Sequence, residues 1–472
     1  MSRERELGYN PALGHRGLER VTRVRMKRYR INPSPPLRGR VQVPGDKSIG
    51  HRALMFAALS DGACEITGLS GGTDNLATAE AFQALGVEMK ISETSARIHG
   101  VGIHGLRMAP ATIDCSNSGT GMRLLAGLLS GQKFGSRLAG DASLTRRPMG
   151  RVVTPLRARG AHIRGAAGKV REEHYAPLSI APLIEGETLQ PLEYEMPVAS
   201  AQVKSALLLS GLYSSGMTAL REPVVSRDHT ERMMHALGIP LQTAGSMVVL
   251  DPADWNRRWE GFAWHVPGDL SSAAFVVGAA ASVPGSRVSI EGVGVNPTRT
   301  GVLDAFRPMG VSFHSTPKGA WAGDEPVADI EAKASDYRAA SIGGELLVRM
   351  IDEIPCFCAV AASARGTSLV RDASELRVKE SDRIATMAEV LSLFGVPCRE
   401  FDSGMEIEGG RTIRAAEVDS RGDHRIAMAA TLLALRADGE SVISDVGCVD
   451  TSFPGVADLL RSLGAPIEEE GA

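Results

Sequence analysis

The chain has 472 residues, 52 Lys+Arg against 55 Asp+Glu, a formal net charge of -3, and 43% hydrophobic residues. This is the composition of a folded globular protein and excludes general disorder. No apolar run reaches the ~18 residues of a membrane span, and the near-neutral balance lacks the basic footprint of a nucleic-acid binder.

Residues 1–30 hold nine Lys/Arg and three Glu. They contain no apolar core of a secretory signal, so residues 1–25 are expected to be a flexible basic head, with ordered sequence from Met26 onward. A pair of helical patterns then recurs six times. In chain order the pairs are HRALMFAALSDG with AEAFQALG, GTGMRLLAGLLSG with VVTPLRARG, and AQVKSALLLSGLYSSG with TERMMHALG. SSAAFVVGAAASVPG with VLDAFRPMG, IPCFCAVAASARG with MAEVLSLFG, and HRIAMAATLLALRADG with VADLLRSLG follow. The first pattern of each pair closes on Gly62, Gly131, Gly216, Gly285, Gly366 or Gly439. The second closes on Gly86, Gly160, Gly238, Gly310, Gly395 or Gly464.

The first helices are apolar all round and are expected to be buried. The second carry apolar residues at i, i+3, i+4 and i+7, one face of an amphipathic helix. A glycine past each helix end is expected to supply a left-handed cap, and Ile/Val/Leu-rich strands follow. The alternation implies an α/β fold of six βαβαββ units, three per domain, with six helices inside. Intervals of 69–85 residues are too long for a solenoid of short repeats.

Polar residues gather before each helix. GDKSIGHR (45–52), CSNSGTGMR (115–123), ASAQVK (199–204), GDLSS (268–272), IDEIP (351–355) and GDHRIA (422–427) precede the apolar helices. TDN (73–75), LTRRPMGR (144–151), SRDHTER (226–232), NPTRT (296–300), RVKESDR (377–383) and DTSFP (450–454) precede the amphipathic ones. GDLSS and NPTRT are explained as N-caps. The others are not, because Lys and Arg are unfavourable at the positive end of a helix. Lys47, Arg52, Arg147, Lys379, Arg383 and Arg425 beside free N–H groups describe anion sites, suited to small substrates carrying phosphate and carboxylate. GTGMR lacks the spacing of a nucleotide phosphate loop. No His/carboxylate set has metal spacing, so neither metal nor cofactor is expected, and His51 and His424 are read as structural. The six cysteines form no CxxC pair and read as buried thiols.

The motifs PGDKSIGHR, NSGTGMR, GDASLTRRPMGR, ASAQVKSALLL, SRDHTE, IDEIP, RVKESDRI, DHRIAM and TSFPG resemble those of the 5-enolpyruvylshikimate-3-phosphate synthase family over about residues 36–468. The resemblance implies two domains of three βαβαββ units each, with 26–44 plus 268–472 in the first and 45–267 in the second. It implies transfer of the enolpyruvyl group of phosphoenolpyruvate to the 5-hydroxyl of shikimate 3-phosphate, with release of phosphate and without metal or cofactor. A cytoplasmic monomer is expected, with no nucleic-acid or membrane partner. On the shikimate 3-phosphate side the resemblance places Lys47, Ser48, Arg52, Ser200, Gln202, Arg227, Asp352 and Lys379. On the phosphoenolpyruvate side it places Lys47, Asn117, Gly119, Arg147, Gln202, Arg383 and Arg425. Asp352 is the expected base for the hydroxyl. Glu380 is the expected proton donor, with Lys47 as rival; burial would have to raise the Glu380 pKa against its cationic neighbours.

There are departures. Thr451 stands where many members have Lys, and Leu124 where many have Pro. The forms of SRDH and IDE lean toward the family's second class, known for glyphosate-tolerant members, in which tolerance is associated with Ala at the position of Gly119. Gly119 leaves the space glyphosate needs, which implies moderate sensitivity. Two other readings stand beside this one. A sister transferase acting on a UDP-amino sugar shares the fold but uses a reactive loop cysteine, for which Cys115 is the candidate. A non-catalytic anion-binding protein would need the basic loops but not Asp352 and Glu380.

Overall fold

The computed structural model describes residues 27–168 and 173–471; the expected basic head, residues 1–25, lies outside them. Thirteen helices are present among the described residues. They are α1 (Lys47–Ala58), α2 (Thr73–Ala84), α3 (Gly119–Leu129), α4 (Gly150–Ala158), α5 (Ala201–Gly211), α6 (His229–Ala236) and α7 (Leu270–Ser282). α8 (Gly301–Met309), the one-turn α9 (Glu345–Val348), α10 (Ile354–Ser363), α11 (Arg383–Leu393), α12 (His424–Ala434) and α13 (Val456–Ser462) complete the set. None is long and apolar enough to cross a membrane.

The six apolar patterns form α1, α3, α5, α7, α10 and α12. α12 is buried at every position, and α7 at every position but Ser282. Small residues let these helices approach closely. A Cβ on Gly127 of α3 would lie 2.1 Å from the Ala206 carbonyl oxygen of α5. One on Gly278 of α7 would crowd Val360 of α10 and Leu432 of α12. The amphipathic patterns form α2, α4, α6, α8, α11 and α13. Their closing glycines all have positive φ, from 69° to 101°, as a left-handed cap requires.

The glycines closing the apolar patterns behave differently. Gly62, Gly285 and Gly366 have positive φ, but Gly131, Gly216 and Gly439 do not. Packing explains Gly131, where a Cβ would lie 2.4 Å from Cγ of the Tyr213 ring. The expectation of a left-handed cap after every helix therefore fails for part of this set.

The strands form six four-stranded sheets. A representative unit runs Ile113–Asp114, α3, Ser136–Ala139, α4, Ile163–Ala167, His174–Ile180. Its first two strands are parallel and the others antiparallel. The parallel pair is possible because a buried helix makes the crossover.

Three units are contiguous in sequence and three are closed from a distance. Strand Arg28–Ile31 pairs with both Ser441–Ser444 and Ile467–Glu470, completing the unit of α12 and α13. Strand Arg38–Gln42 pairs with Arg287–Gly294 in the unit of α7 and α8, and Ala263–His265 pairs with Asp61–Thr67 in the unit of α1 and α2. Two hydrophobic cores result. One gathers residues from 29 to 43 and from 270 to 467, the other residues from 49 to 266 together with Ala322. The connecting segments meet side by side: Asp46 N donates to Pro267 O at 2.7 Å, and Asp269 N donates to Pro44 O at 2.8 Å.

Candidate active site

Aspartate caps place the cations at the helix starts. Asp46 accepts from Ile49 N at 2.9 Å ahead of Lys47. Asp382 accepts from Ala385 N at 3.1 Å ahead of Arg383, and Asp423 from Arg425 N at 3.0 Å. Each cap satisfies a free N–H and adds a negative charge that offsets the unfavourable position of the cation. Asp423 does more. Its carboxylate grips Arg383 through Nε at 2.8 Å and Nη2 at 3.2 Å, which fixes a buried guanidinium.

Asp352 joins the two halves of the chain. Its Oδ2 accepts from Arg227 Nη2 at 2.5 Å, while Oδ1 lies 3.6 Å from Lys379 Nζ and 3.5 Å from Arg383 Nη1. Burial pushes the Asp352 carboxyl up, but Arg227, Lys379, Arg425 and Arg383 outweigh it and hold it well below the usual carboxylate range. Burial likewise lowers Lys379, partly offset by Asp352.

Glu380 makes the second link between the halves. Its Oε2 accepts from Arg383 Nη2 at 2.6 Å, and its Oε1 lies 3.3 Å from Arg147 Nη1. Here too burial is outweighed, chiefly by Arg383 and Arg147 with Lys379 beside them, and Glu380 is held well below its ordinary value. The conflict between burial and neighbouring cations thus resolves toward the ionised form.

Arg147 is fixed by Asn117, whose Oδ1 accepts from Nη2 at 2.6 Å and whose backbone oxygen accepts from Nη1 at 3.2 Å. Asn117 in turn donates to Asp141 at 2.7 Å. Gly119 opens α3 beneath two guanidiniums. A Cβ there would lie 2.9 Å from Arg123 Nη1 and 3.2 Å from Arg147 Nη1. Gln202 is oriented from both ends, accepting from Arg123 Nη1 at 2.7 Å and donating to Thr120 Oγ1 at 2.8 Å. A cavity of about 460 Å³ opens beside these groups, bordered by Ser143, Arg146, Arg147, Lys379, Glu380 and Ser381.

The remaining expected residues are more committed to the scaffold. Arg52 donates to Thr230 Oγ1, Ser205 Oγ and Ser48 O at 2.7–2.8 Å, and burial pushes its guanidinium down to about 10. Ser200 caps α5, accepting from Val203 N at 3.4 Å. Ser48 meets Arg52 through its backbone oxygen.

Several residues of the cluster escaped the sequence reading. Asp74 pairs with Lys47 Nζ at 3.0 Å and, among the described residues, keeps a buried Oδ1 without a hydrogen-bond partner. Burial lowers the Arg123 guanidinium to about 10, with Arg147 adding to the effect. His424 is buried with its Nε2 unpartnered among the described residues. Burial, then Arg425 and Lys47, keep its imidazole neutral. His51 fits its structural reading, with Nδ1 at Thr78 Oγ1 (2.7 Å) and Nε2 at Ser118 Oγ (3.2 Å). One group of ligand-type side chains, Asp228, His229 and Glu325, lies close together. Its carboxylates are already engaged by Asn296 Nδ2, at 2.6 and 2.9 Å, and by His229 Nδ1 at 2.6 Å.

A family model, EPSP synthase (3-phosphoshikimate 1-carboxyvinyltransferase), matches residues 31–460. A 3-phosphoshikimate 1-carboxyvinyltransferase of Geobacter sp. (strain M21) is 48% identical over 436 residues, 92% of this chain and 99% of the relative. One of Acidithiobacillus ferrooxidans is 46% identical over 448 residues, 95% of this chain and 100% of the relative. A solved EPSP synthase of Acinetobacter baumannii superposes with a TM-score of 0.82 at 40% identity, covering 94% of this chain and 100% of that one.

Proposed function

The chain belongs to the EPSP synthase family, and from that membership we propose how its side chains divide the reaction. The enzyme transfers the enolpyruvyl group of phosphoenolpyruvate to the 5-hydroxyl of shikimate 3-phosphate and releases phosphate. Arg147, Arg383, Arg425 and Lys47 hold phosphoenolpyruvate, with Asn117, Gly119 and Gln202 shaping its place. Ser48, Arg52, Ser200, Gln202, Arg227 and Lys379 hold shikimate 3-phosphate, and Lys47 reaches both.

Asp352 is the base. It takes the proton of the 5-hydroxyl as that oxygen bonds to C2 of phosphoenolpyruvate, while C3 gains a proton. The tetrahedral adduct then returns a proton from C3 to the Glu380 carboxylate as the C2–O bond to phosphate breaks, and the departing phosphate takes the proton held by Asp352. The observation that carries this assignment is the ionised Asp352, joined at once to Arg227 of one half and to Lys379 and Arg383 of the other.

Glu380 is the donor to C3, and the substrate makes it one. Phosphoenolpyruvate competes with Glu380 for Arg147 and Arg383 and brings negative charge beside it, and both effects raise a carboxyl pKa. The guanidiniums released from Glu380 then balance the charge of the leaving phosphate.

The sister-enzyme reading is disfavoured by Cys115. That thiol is buried, and burial pushes it up to about 12, far from the thiolate a reactive cysteine needs. The domain boundaries are placed at Pro44/Gly45 and Pro267/Gly268, supported by the two cores that the chain joins there. A monomeric state and a cytoplasmic location belong to the same reading, the location supported by six free thiols.

Phosphate release tests the assignment, with phosphoenolpyruvate and shikimate 3-phosphate together and each alone. Release with both, and its loss in Asp352→Ala, supports the roles given. Release with a UDP-amino sugar in place of shikimate 3-phosphate would move the chain to the sister activity. A folded protein that binds phosphoenolpyruvate yet releases nothing would sink the roles of Asp352 and Glu380.

A further inference from the structure

Two loops expected to do no more than cap helices, GDLSS and NPTRT, meet where the chain passes between its cores. Asp269 does cap α7, accepting from Ser271 N at 2.8 Å. The Ser271 hydroxyl and Arg299 have other partners. Arg299 is buried and reaches two cap carboxylates at once, Asp46 Oδ2 through Nη1 and Asp269 Oδ1 through Nη2, each at 3.0 Å. Asp46 caps α1 of one half and Asp269 caps α7 of the other.

The same Nη2 donates to Ser271 Oγ at 2.7 Å. Ser271 Oγ donates to the buried Glu353 and accepts from Arg425 Nη2 at 3.4 Å. A hydroxyl offers one donor and two acceptor sites, and here Glu353, Arg299 and Arg425 use all three. Glu353 Oε1 lies 3.7 Å from both Arg299 Nη2 and Arg425 Nη1. Among the described residues, Ser271 is the one hydrogen-bond partner of the Arg425 guanidinium, and its buried Nη1 has none.

We propose that Arg299, Ser271 and Glu353 are positioning residues for Arg425, and that they tie the geometry of the two crossing segments to the aim of that guanidinium. The inference rests on the role of Arg425 as a phosphoenolpyruvate ligand given above. A shift of one half against the other moves Asp46 relative to Asp269 and turns the guanidinium held between them. Nη2 passes that turn to Ser271, and Ser271 passes it to Arg425. A guanidinium held in advance loses less rotamer freedom when the substrate arrives.

Steady-state kinetics with each substrate varied at saturation of the other, together with thermal melts, test this on Ser271→Ala, Arg425→Lys and the double variant. Ser271→Ala keeps the Asp269 cap and is expected to fold. Its KM for phosphoenolpyruvate is expected to rise about tenfold, as for one lost hydrogen bond to a charged group, and its KM for shikimate 3-phosphate to stay within about twofold. The double variant is expected to bind phosphoenolpyruvate no worse than Arg425→Lys alone, because Ser271 acts through Arg425. Arg299→Lys keeps the charge but cannot span both carboxylates and Ser271, and should show the same selective rise.

An unchanged KM in Ser271→Ala, equal rises for both substrates, or a full additional loss in the double variant would overturn the positioning role alone. An Arg425→Lys variant with unchanged KM for phosphoenolpyruvate would overturn the ligand role of Arg425, and the positioning role with it.

Discussion

Asp352 is ionised because Arg227, Lys379, Arg425 and Arg383 together outweigh the cost of burying it. In the base role proposed for it, it should matter to the rate more than to affinity, so Asp352→Asn is expected to lower kcat by about 10²–10⁴-fold with the KM for phosphoenolpyruvate little changed. Lost affinity with intact turnover would make it a binding residue instead. The same group has a pH signature. Its folded-state pKa lies below its unfolded one, so the stability it contributes is complete above roughly pH 5 and is lost as pH falls toward the folded value. The Tm difference between wild type and Asp352→Asn should therefore close on acidification; a gap that widens would reverse the sign. At Gly119, an added methyl meets the ends of two side chains rather than backbone. Gly119→Ala should fold normally, raise the KM for phosphoenolpyruvate several-fold by displacing Arg123 and Arg147, and weaken glyphosate inhibition further. Inhibition curves for the two proteins decide this. Lys47, Arg383 and Arg425 were legible in the sequence because a cation is the wrong residue for a helix start. Asp423, Asp74 and Arg123 were not. An aspartate before a helix looks like an ordinary cap, and an arginine inside an apolar helix shows its partners only in three dimensions.

Among elements, the six buried helices and their amphipathic partners were legible from periodicity, because a helix apolar all round has one place to go. The glycines were half legible. After the amphipathic helices they serve the backbone turn, as the spacing implied. Gly131, against the Tyr213 ring, serves packing, which no local pattern announces. Gly127 is a sharper case, since an added Cβ would meet the Ala206 backbone itself. α3 and α5 would have to separate, and overpacking of this kind costs about 1–3 kcal/mol. Gly127→Ala is expected to lower Tm by several degrees with both KM values unchanged in the folded fraction, and calorimetry beside kinetics checks it. An unshifted Tm would mean that the two helices adjust freely.

For the whole molecule, the six repeats do not themselves say where the chain changes cores; the expected crossings near residues 44 and 268 rest on the family resemblance. The reason is physical. Three units borrow a strand from a remote part of the chain, and a strand of three to five residues carries too little pattern to show which sheet it joins. The halves also meet where Arg151 pairs with Glu375 through two bonds of 2.7 Å. The pair is about two-fifths exposed, so it is worth only about 0–1 kcal/mol and is weakened by salt. Arg151→Ala should raise both KM values by no more than about fivefold and flatten their dependence on ionic strength. Rates across a salt series check this, and an unchanged salt dependence would leave the contact between the halves to the buried pairs alone. The borrowed strand Arg28–Ile31 sets an order of manufacture. A ribosome makes it well before its two neighbours, Ser441–Ser444 and Ile467–Glu470, with the whole segment from 45 to 267 in between. The segment from 45 to 267 holds every strand of its own sheets and can finish folding while synthesis continues. The early strand must wait for those neighbours with its edges bare, a period in which unpaired edges invite aggregation. Arg28 and Arg30, paired in the folded chain with Glu470 and Glu440, put charge on that waiting strand, the kind of residue that disfavours edge-to-edge pairing.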